Sequence, residues 1–258
     1  MSSPTTRPPR GKIASTCAPP TFYGAGLTHR GRVRSANEDA ILTDPDRGAL
    51  WVVSDGMGGY RHGDMASDIV TRQLAMIGDA SEPIASLRAG LEAAHFEIQR
   101  ITARPGMGRM GATAVAMLLK QALAHIVWVG DCRAYLMRQN HLKLLTRDHT
   151  VVQDLIDDGI LSESEREAHP DAHVVTRAVG YDTAIEIDAV SVPVVPNDKI
   201  LLCSDGLMAC MGDHEIADHV AFAATPEALC ADLINAALQL GAPDNVSVIA
   251  VFSNGGET

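Results

Sequence analysis

No window of the sequence approaches the ~18 consecutive apolar residues of a membrane span, so the chain is read as one with no membrane partner. Basic charge is also short: the formal net charge over 258 residues is −11. That argues against nucleic-acid binding, which runs on basic surface. It leaves phosphorylated ligands open, provided local arginines or metals supply positive charge. Paired cysteines are missing as well. Cys17, Cys132, Cys203, Cys210 and Cys230 are odd in number and none forms Cys-x-x-Cys. They read as reduced thiols of a cytoplasmic protein. An apolar leader is absent too. The opening MSSPTTRPPRGKIASTCAPP is rich in Pro, Ser, Thr and Arg, and is expected to be a disordered tail covering residues 1–20. No later linker is long or biased enough to divide the chain, and no repeat recurs, so residues 21–255 are expected to form one domain.

What is present is an apolar fraction of 46%, enough for a sizeable core. Short apolar or β-branched runs bounded by Gly, Pro, Asn or Asp predict ten strands. They are Thr21–Leu27, Ala40–Leu42, Leu50–Ser54, Ala112–Leu119, Ala122–Val129, Ala134–Arg138, Lys143–Leu145, Ile185–Val192, Lys199–Cys203 and Val246–Phe252. Helices are expected at Asp64–Met76, Ile84–Ala103, Val151–Gly159, Asp213–Ala221 and Pro226–Leu240, with a short one opened by the capping box Ser162-x-x-Glu165. Thr225 suits the N-cap of the last helix, Pro226 its first position, and Gly241 stops it. Strands in consecutive runs with grouped helices argue against a doubly wound parallel sheet. The expected class is α+β: two packed antiparallel β-sheets, a β-sandwich flanked by α-helices in four αββα layers.

The acids fall in a pattern. Asp55 ends LWVVSD, Asp131 ends AHIVWVGD and Asp205 ends KILLCSD, while Asp244 directly precedes the strand VSVIAVF. Glu38 and Asp39 directly precede AILTD. Each Asp-Gly or Asp-Asn alone is also an ordinary turn pair. Strands of a sandwich often share an end, however, and carboxylates converging there repel one another unless a cation is supplied. An all-oxygen donor set points to Mg²⁺, Mn²⁺ or Ca²⁺. Zinc is disfavoured because no Cys or His stands at metal-ligand spacing. Several carboxylates can hold two ions a few Å apart, the arrangement used for in-line attack at phosphorus. HRGRVRSANED adds Arg30, Arg32 and Arg34, which share one face of an extended chain with Arg34 nearest the acids. A guanidinium there suits bidentate phosphate capture.

Seven ordered motifs, RVRSANEDA, VVSDGMGG, GATAV, VGDCRAYL, LTRDH, LLCSDG and GAPDNVSVIAV, resemble the metal-dependent protein serine/threonine phosphatases, the type 2C or PPM family, in its bacterial form. The resemblance runs from Phe22 to Ser253 and implies the same β-sandwich. Position by position, it implies that Asp55 bridges two metals and that Gly56 offers a carbonyl to one of them. It makes Asp205 and Asp244 direct ligands, and has Glu38 and Asp39 hold metal-bound waters. Asp131 takes a third, weaker ion, Arg34 binds phosphate, and Asn245 supports the ligands from behind. Animal members carry a histidine two residues after the bridging aspartate as general acid. Here that residue is Met57, which cannot donate a proton. Water on a metal is the expected donor, with His62 read as a surface or capping residue. Residues 151–173 match the variable flap of bacterial members, with short, polar, capped helices that suit a mobile lid. His169 and His173 within it are not expected to form a helical metal pair, because Pro170 lies between them.

The resemblance implies a hydrolase that removes phosphate from phosphoserine and phosphothreonine by direct attack of a hydroxide bridging two Mn²⁺ or Mg²⁺ ions, with Arg34 and Asp55 at the chemistry. No cysteine nucleophile is needed, and none of the cysteines has the Cys-x5-Arg arrangement of cysteine-dependent phosphatases. Cys132, beside Asp131, is read as core. A cognate Hanks-type Ser/Thr kinase is implied, phosphoproteins are the substrates, and the protein is expected to be a cytoplasmic monomer. Two alternatives stay open: a two-metal phosphohydrolase of small phosphoesters, and a non-catalytic phosphoprotein-binding regulator of the same fold.

Overall fold

The computed structural model describes residues 21–44, 50–58, 62–77, 81–166 and 168–254. The expected tail, residues 1–20, lies outside the described residues, as does residue 255. Two five-stranded sheets form, with every pairing antiparallel. The first has the order β2 (Asp39–Asp44), β3 (Leu50–Gly58), β4 (Met110–Lys120), β5 (Leu123–Val129) and β8 (Asp188–Pro193). The second has the order β1 (Thr21–His29), β10 (Val246–Asn254), β9 (Lys199–Cys203), β6 (Arg133–Arg138) and β7 (His141–Leu144).

Successive residues of a strand point to opposite faces. In β3, Trp51 and Val53 enter the layer between the sheets, with Val115, Ile249 and Val251, while Leu50 and Val52 face the helices. Both faces of the central strands are therefore buried, which explains their nearly continuous apolar runs. Helices α1 (Gly63–Ala75) and α2 (Pro83–Thr102) cover the first sheet through Ile69, Leu74, Leu87 and Leu91. Helices α5 (Asp213–Phe222) and α6 (Pro226–Gln239) cover the second through Ile216, Leu229 and Leu233. Three apolar layers between four structural ones give the expected αββα stack.

The helix ends follow local chemistry. Thr225 Oγ1 accepts the Ala228 N–H at 3.2 Å, and Gly241 takes the left-handed φ of +107° just past α6. The Glu165 carboxylate accepts the Ser162 N–H at 3.0 Å and opens a 3₁₀ turn, Glu163–Glu165, rather than an α-helix. Helix α3 spans Val151–Asp157. Two expectations need correction. The strand expected from Ile185 begins at Asp188; Ile185 and Ile187 are apolar because they pack into the layer beneath α1 and α2, not because they pair. The Ser-Asp-Gly at Asp205 is no simple turn. It starts a four-residue helical turn, α4 (Asp205–Met208), whose Gly206 lies so close to Asn245 that a Cβ would stand 1.9 Å from its carbonyl oxygen.

The antiparallel order places the ends of β3, β5 and β9 beside the starts of β2, β4, β6 and β10. The acid-bearing termini predicted from sequence therefore meet at one end of the sandwich.

Candidate metal centre

Asp39 and Asp55 are direct cross-strand partners in the β2–β3 ladder. Gly56 donates its N–H to the Glu38 carbonyl at 3.1 Å, and a Cβ on Gly56 would lie 2.0 Å from the Gly63 carbonyl oxygen. Only glycine lets the start of α1 close onto β3 here. Asp205 arrives from the second sheet at the first position of α4, and Asp244 from the residues before β10. Asp131 stands after β5, on a turn set by Gly130 at φ +98°.

Hydrogen bonds fix the surroundings. One oxygen of the buried Asp39 accepts the hydroxyls of Ser204 (2.8 Å) and Ser247 (2.6 Å). Its other oxygen has no partner, and neither does Oδ1 of Asp205. Asn245 ties the 30–38 segment to β10: its Oδ1 accepts the Glu38 N–H at 2.8 Å, and its Nδ2 donates to the carbonyls of Arg30 and Ala36, each at 2.9 Å. Arg34, largely exposed, places Nη2 2.6 Å from Oδ2 of Asp244. Behind Asp131, Arg133 grips Asp148 with Nε at 2.9 Å and Nη2 at 2.6 Å, joining the VGDCRAYL and LTRDH motifs as one buried ion pair. His149 supports the same turn, accepting the Gly130 N–H on Nδ1 at 3.0 Å.

The electrostatics are those of a site short of positive charge. Burial pushes the Asp55 carboxyl well above its ordinary range, and the charges of Asp205, Asp39 and Asp131 push it further. Asp131 is raised by burial, then by Asp205 and Asp148. Asp39 is pushed up to about 6, chiefly by burial, against the pull of its two serine hydroxyls. Asp205 is raised by burial, opposed by a hydrogen bond shared with Asp55. Glu38 is raised by burial and then by Asp64. Five acids raised first by burial and then by one another's charge form a donor set suited to cations.

Among the described residues no three His, Cys, Asp or Glu side chains close into a finished metal cage. Two of the candidates press on each other, Asp55 and Asp205, and Asp244 is taken by Arg34. The test of fit rests on the unpartnered buried oxygens of Asp39 and Asp205, since an acceptor without a donor in an acid cluster wants a cation. The oxygen-only donors and the close Gly56 and Gly206 backbones suit hard divalent ions, so the residues fit.

The structure brings together Arg34, Glu38, Asp39, Asp55, Gly56, Asp131, Asp205 and Asp244, with Asn245 bracing the rim. His62 stands at the cap position of α1 without a side-chain capping bond. Cys132 is buried, Sγ 3.2 Å from Thr113 Oγ1, and burial pushes its thiol well up, so it is core as expected. Sequence reading missed four residues. Ser204 and Ser247 anchor Asp39; the serines in CSDG and NVSV were the available signal. Asp64 crowds Glu38 from the first turn of α1. His173, discounted as a helical pair with His169, lies close enough to Asp205 to favour its charged form, a long-range convergence with no local signature.

A family model described as protein phosphatase 2C matches residues 25–237. The serine/threonine phosphatase stp of Listeria welshimeri is 32% identical over 240 residues, covering 88% of this chain and 94% of that protein. PppA, a key regulatory component of T6SS in Pseudomonas aeruginosa, superposes with a TM-score of 0.82 at 36% identity, over 90% of this chain and 97% of that one. The serine/threonine protein phosphatase PstP of Mycobacterium tuberculosis is 34% identical over 231 residues, covering 87% of this chain and 44% of that protein. The catalytic domain of PstP in complex with two manganese ions gives a TM-score of 0.81 at 32% identity, over 90% of this chain and 98% of that one.

Proposed function

The chain belongs to the protein phosphatase 2C family, and we propose that it hydrolyses phosphoserine and phosphothreonine in proteins at the acid cluster between its sheets. The observation that carries this reading is the meeting of Asp39, Asp55, Asp131, Asp205 and Asp244 beside one arginine, Arg34, with buried carboxylate oxygens left open. Asp55, Asp205 and Asp244 would hold two divalent ions, manganese as in the PstP relative or magnesium, with the Gly56 carbonyl beside Asp55. Glu38 and Asp39 would orient waters around them, and Asp131 would serve a third, weaker ion. When bound, the ions supply an activated water for in-line attack at phosphorus and offset charge on the phosphoryl oxygens.

The chain's own residues do the remaining work. Ser204 and Ser247 hold one Asp39 oxygen so that the other faces the cluster. Asn245 fixes the backbone that carries Glu38. With a cation present to occupy Asp244, the Arg34 guanidinium, now paired with that carboxylate, would be free to bind two phosphoryl oxygens as a planar fork. Met57 offers no proton, so the leaving alkoxide takes its proton from water in the site. The segment of residues 151–166 and 168–173 acts as a flap, with His173 near enough to Asp205 to act on its charge. Arg166 pins it: Nη2 donates to Gln153 Oε1 at 2.6 Å, and Nη1 lies 3.8 Å from Asp148.

The four described cysteines are all free thiols, and no described helix is long and apolar enough to cross a membrane. The proposed reading extends to a cytoplasmic monomer that reverses a Hanks-type kinase. The test is turnover of a panel of phosphoserine and phosphothreonine peptides against small phosphate esters, with Mn²⁺ present and absent. Preference for the peptides, lost on chelation, supports the reading. Preference for small esters moves the substrate class, and inactivity with Mn²⁺ present removes the enzyme.

A further inference from the structure

Between the end of α2 and the start of β4 runs a stretch that stands out in so acidic a chain. From Gln99 to Arg109 it carries Arg100, Arg104 and Arg109 and no acid. Its last arginine lines a cleft of about 320 Å³ with Gln99, Thr102, Gly180 and Tyr181. The Arg109 guanidinium lies over the Tyr181 ring, 4.8 Å from its centroid, exposed and without an ion pair among the described residues. Stacking on a ring face fixes the guanidinium plane while leaving its N–H edge free to donate.

The cleft is rigid. The facing loop is clamped to β4 by the Ala112–Val179 bridge, with N–H to carbonyl distances of 3.0 and 2.8 Å. Gly180 donates to Nδ1 of the buried His95 at 3.0 Å, and packs so closely that a Cβ would lie 2.2 Å from Ile98. Gln99 Nε2 donates to the carbonyl of Asp182. Tyr181 is thus anchored on both sides, and the residue after it spends its carbonyl on α2.

The cleft is also near the acid cluster. Gly58 pairs with Met110, Met57 with Gly111 and Asp55 with Thr113. Arg109, one residue before β4, therefore lies four residues from Thr113, the partner of Asp55, roughly 13 Å at strand rise. An extended peptide covers the same span in about four residues.

We infer that the cleft of Arg109, Tyr181, Gln99 and Thr102 is a substrate subsite that takes the carboxylate of an Asp or Glu three to four residues from the phosphorylated serine or threonine. This deepens the phosphatase reading and rests on it. The Arg109 fork receives the carboxylate, while the Thr102 hydroxyl, which donates to the Gln99 carbonyl at 3.0 Å, forms part of the wall.

The test compares kcat/KM for phosphopeptide pairs that differ only by Glu or Gln at positions −4, −3, +3 and +4, in the intact chain and in Arg109→Gln and Arg109→Glu. p-Nitrophenyl phosphate serves as a substrate with nothing to place in the cleft. The intact chain is expected to favour Glu by about two- to fivefold at one of these positions, the range of a partly exposed ion pair. Arg109→Gln should abolish that preference with p-nitrophenyl phosphate turnover unchanged, and Arg109→Glu should reverse it. Equal rates for Glu and Gln peptides in the intact chain, or a preference that survives Arg109→Gln, overturns the subsite. Loss of p-nitrophenyl phosphate turnover in Arg109→Gln also overturns it, by making Arg109 part of the centre. If the intact chain turns over neither peptide nor p-nitrophenyl phosphate with Mn²⁺, the phosphatase reading itself has failed.

Discussion

Asp39 and Asp55 face each other as direct partners across the β2–β3 ladder, two acids where a stable sheet would place anything but like charges. A fold keeps such a pair when something absent from the polypeptide is meant to sit between them. We predict that Asp55→Asn raises the melting temperature of the metal-free protein, by on the order of 2–5 °C, while lowering kcat/KM on phosphopeptides about 100-fold or more. Thermal melts in chelator and steady-state kinetics with Mn²⁺ check the two halves. A lower melting temperature would mean that Asp55 supports the fold itself.

Burial of these acids, with their crowding, sets a pH dependence. The folded pKa of Asp39, about 6, lies above its ordinary value, and burial raises Glu38, Asp55, Asp131 and Asp205 in the same direction. A raised acid binds its proton more tightly folded than unfolded. Its contribution to stability is present at low pH and lost as pH rises through the folded value. The metal-free protein should therefore lose melting temperature between pH 5 and 7.5, by on the order of 5 °C, and Mn²⁺ should restore more at pH 7.5 than at pH 5. A melting temperature that climbs across this window would show that other groups dominate.

Arg34 is held by Asp244 at 2.6 Å with its side chain largely in solvent, so the fold depends little on it. Arg34→Ala should lower kcat/KM on phosphopeptides by about 10- to 100-fold, and calorimetry should find Mn²⁺ affinity within about threefold of the parent. Arg34→Lys should recover only part of the activity, because an ammonium cannot make the planar two-point contact.

Lys199 gives a prediction far from the chemistry. Its ammonium donates to the carbonyls of Val220 (2.8 Å), Ala221 (3.0 Å) and Ala223 (2.8 Å), closing the C-terminal end of α5. Lys199→Met should cost about 1–3 kcal/mol in urea unfolding and leave kcat/KM unchanged. A kinetic defect without a stability loss would contradict that division of labour.

These predictions also show what the linear sequence could carry. Strands such as Leu50–Ser54 and Lys199–Cys203 were legible because both their faces are buried, leaving unbroken apolar runs. The acids were legible because each interrupts such a run at its end. What stayed hidden depends on contacts between distant residues. Ser204 and Ser247 look like ordinary strand-end serines until the fold sets both against Asp39. Helix α4 was hidden because Ser-Asp-Gly reads as a turn, and only its packing against Asn245 shows why glycine is needed there. Tyr181 and Arg109 lie far apart in the chain and meet only through the bridge of Val179 to Ala112.

The central claim is that the carboxylates at this end of the sandwich are a cation site. Calorimetric titration of Mn²⁺ into the folded, metal-free chain and into Asp205→Asn tests it most directly, because it reads the ions without relying on turnover. The account predicts two strong Mn²⁺ sites per chain, with at least one lost in Asp205→Asn while the variant stays folded. Absence of binding to the folded parent, or the same number of sites and affinities in Asp205→Asn, would contradict it.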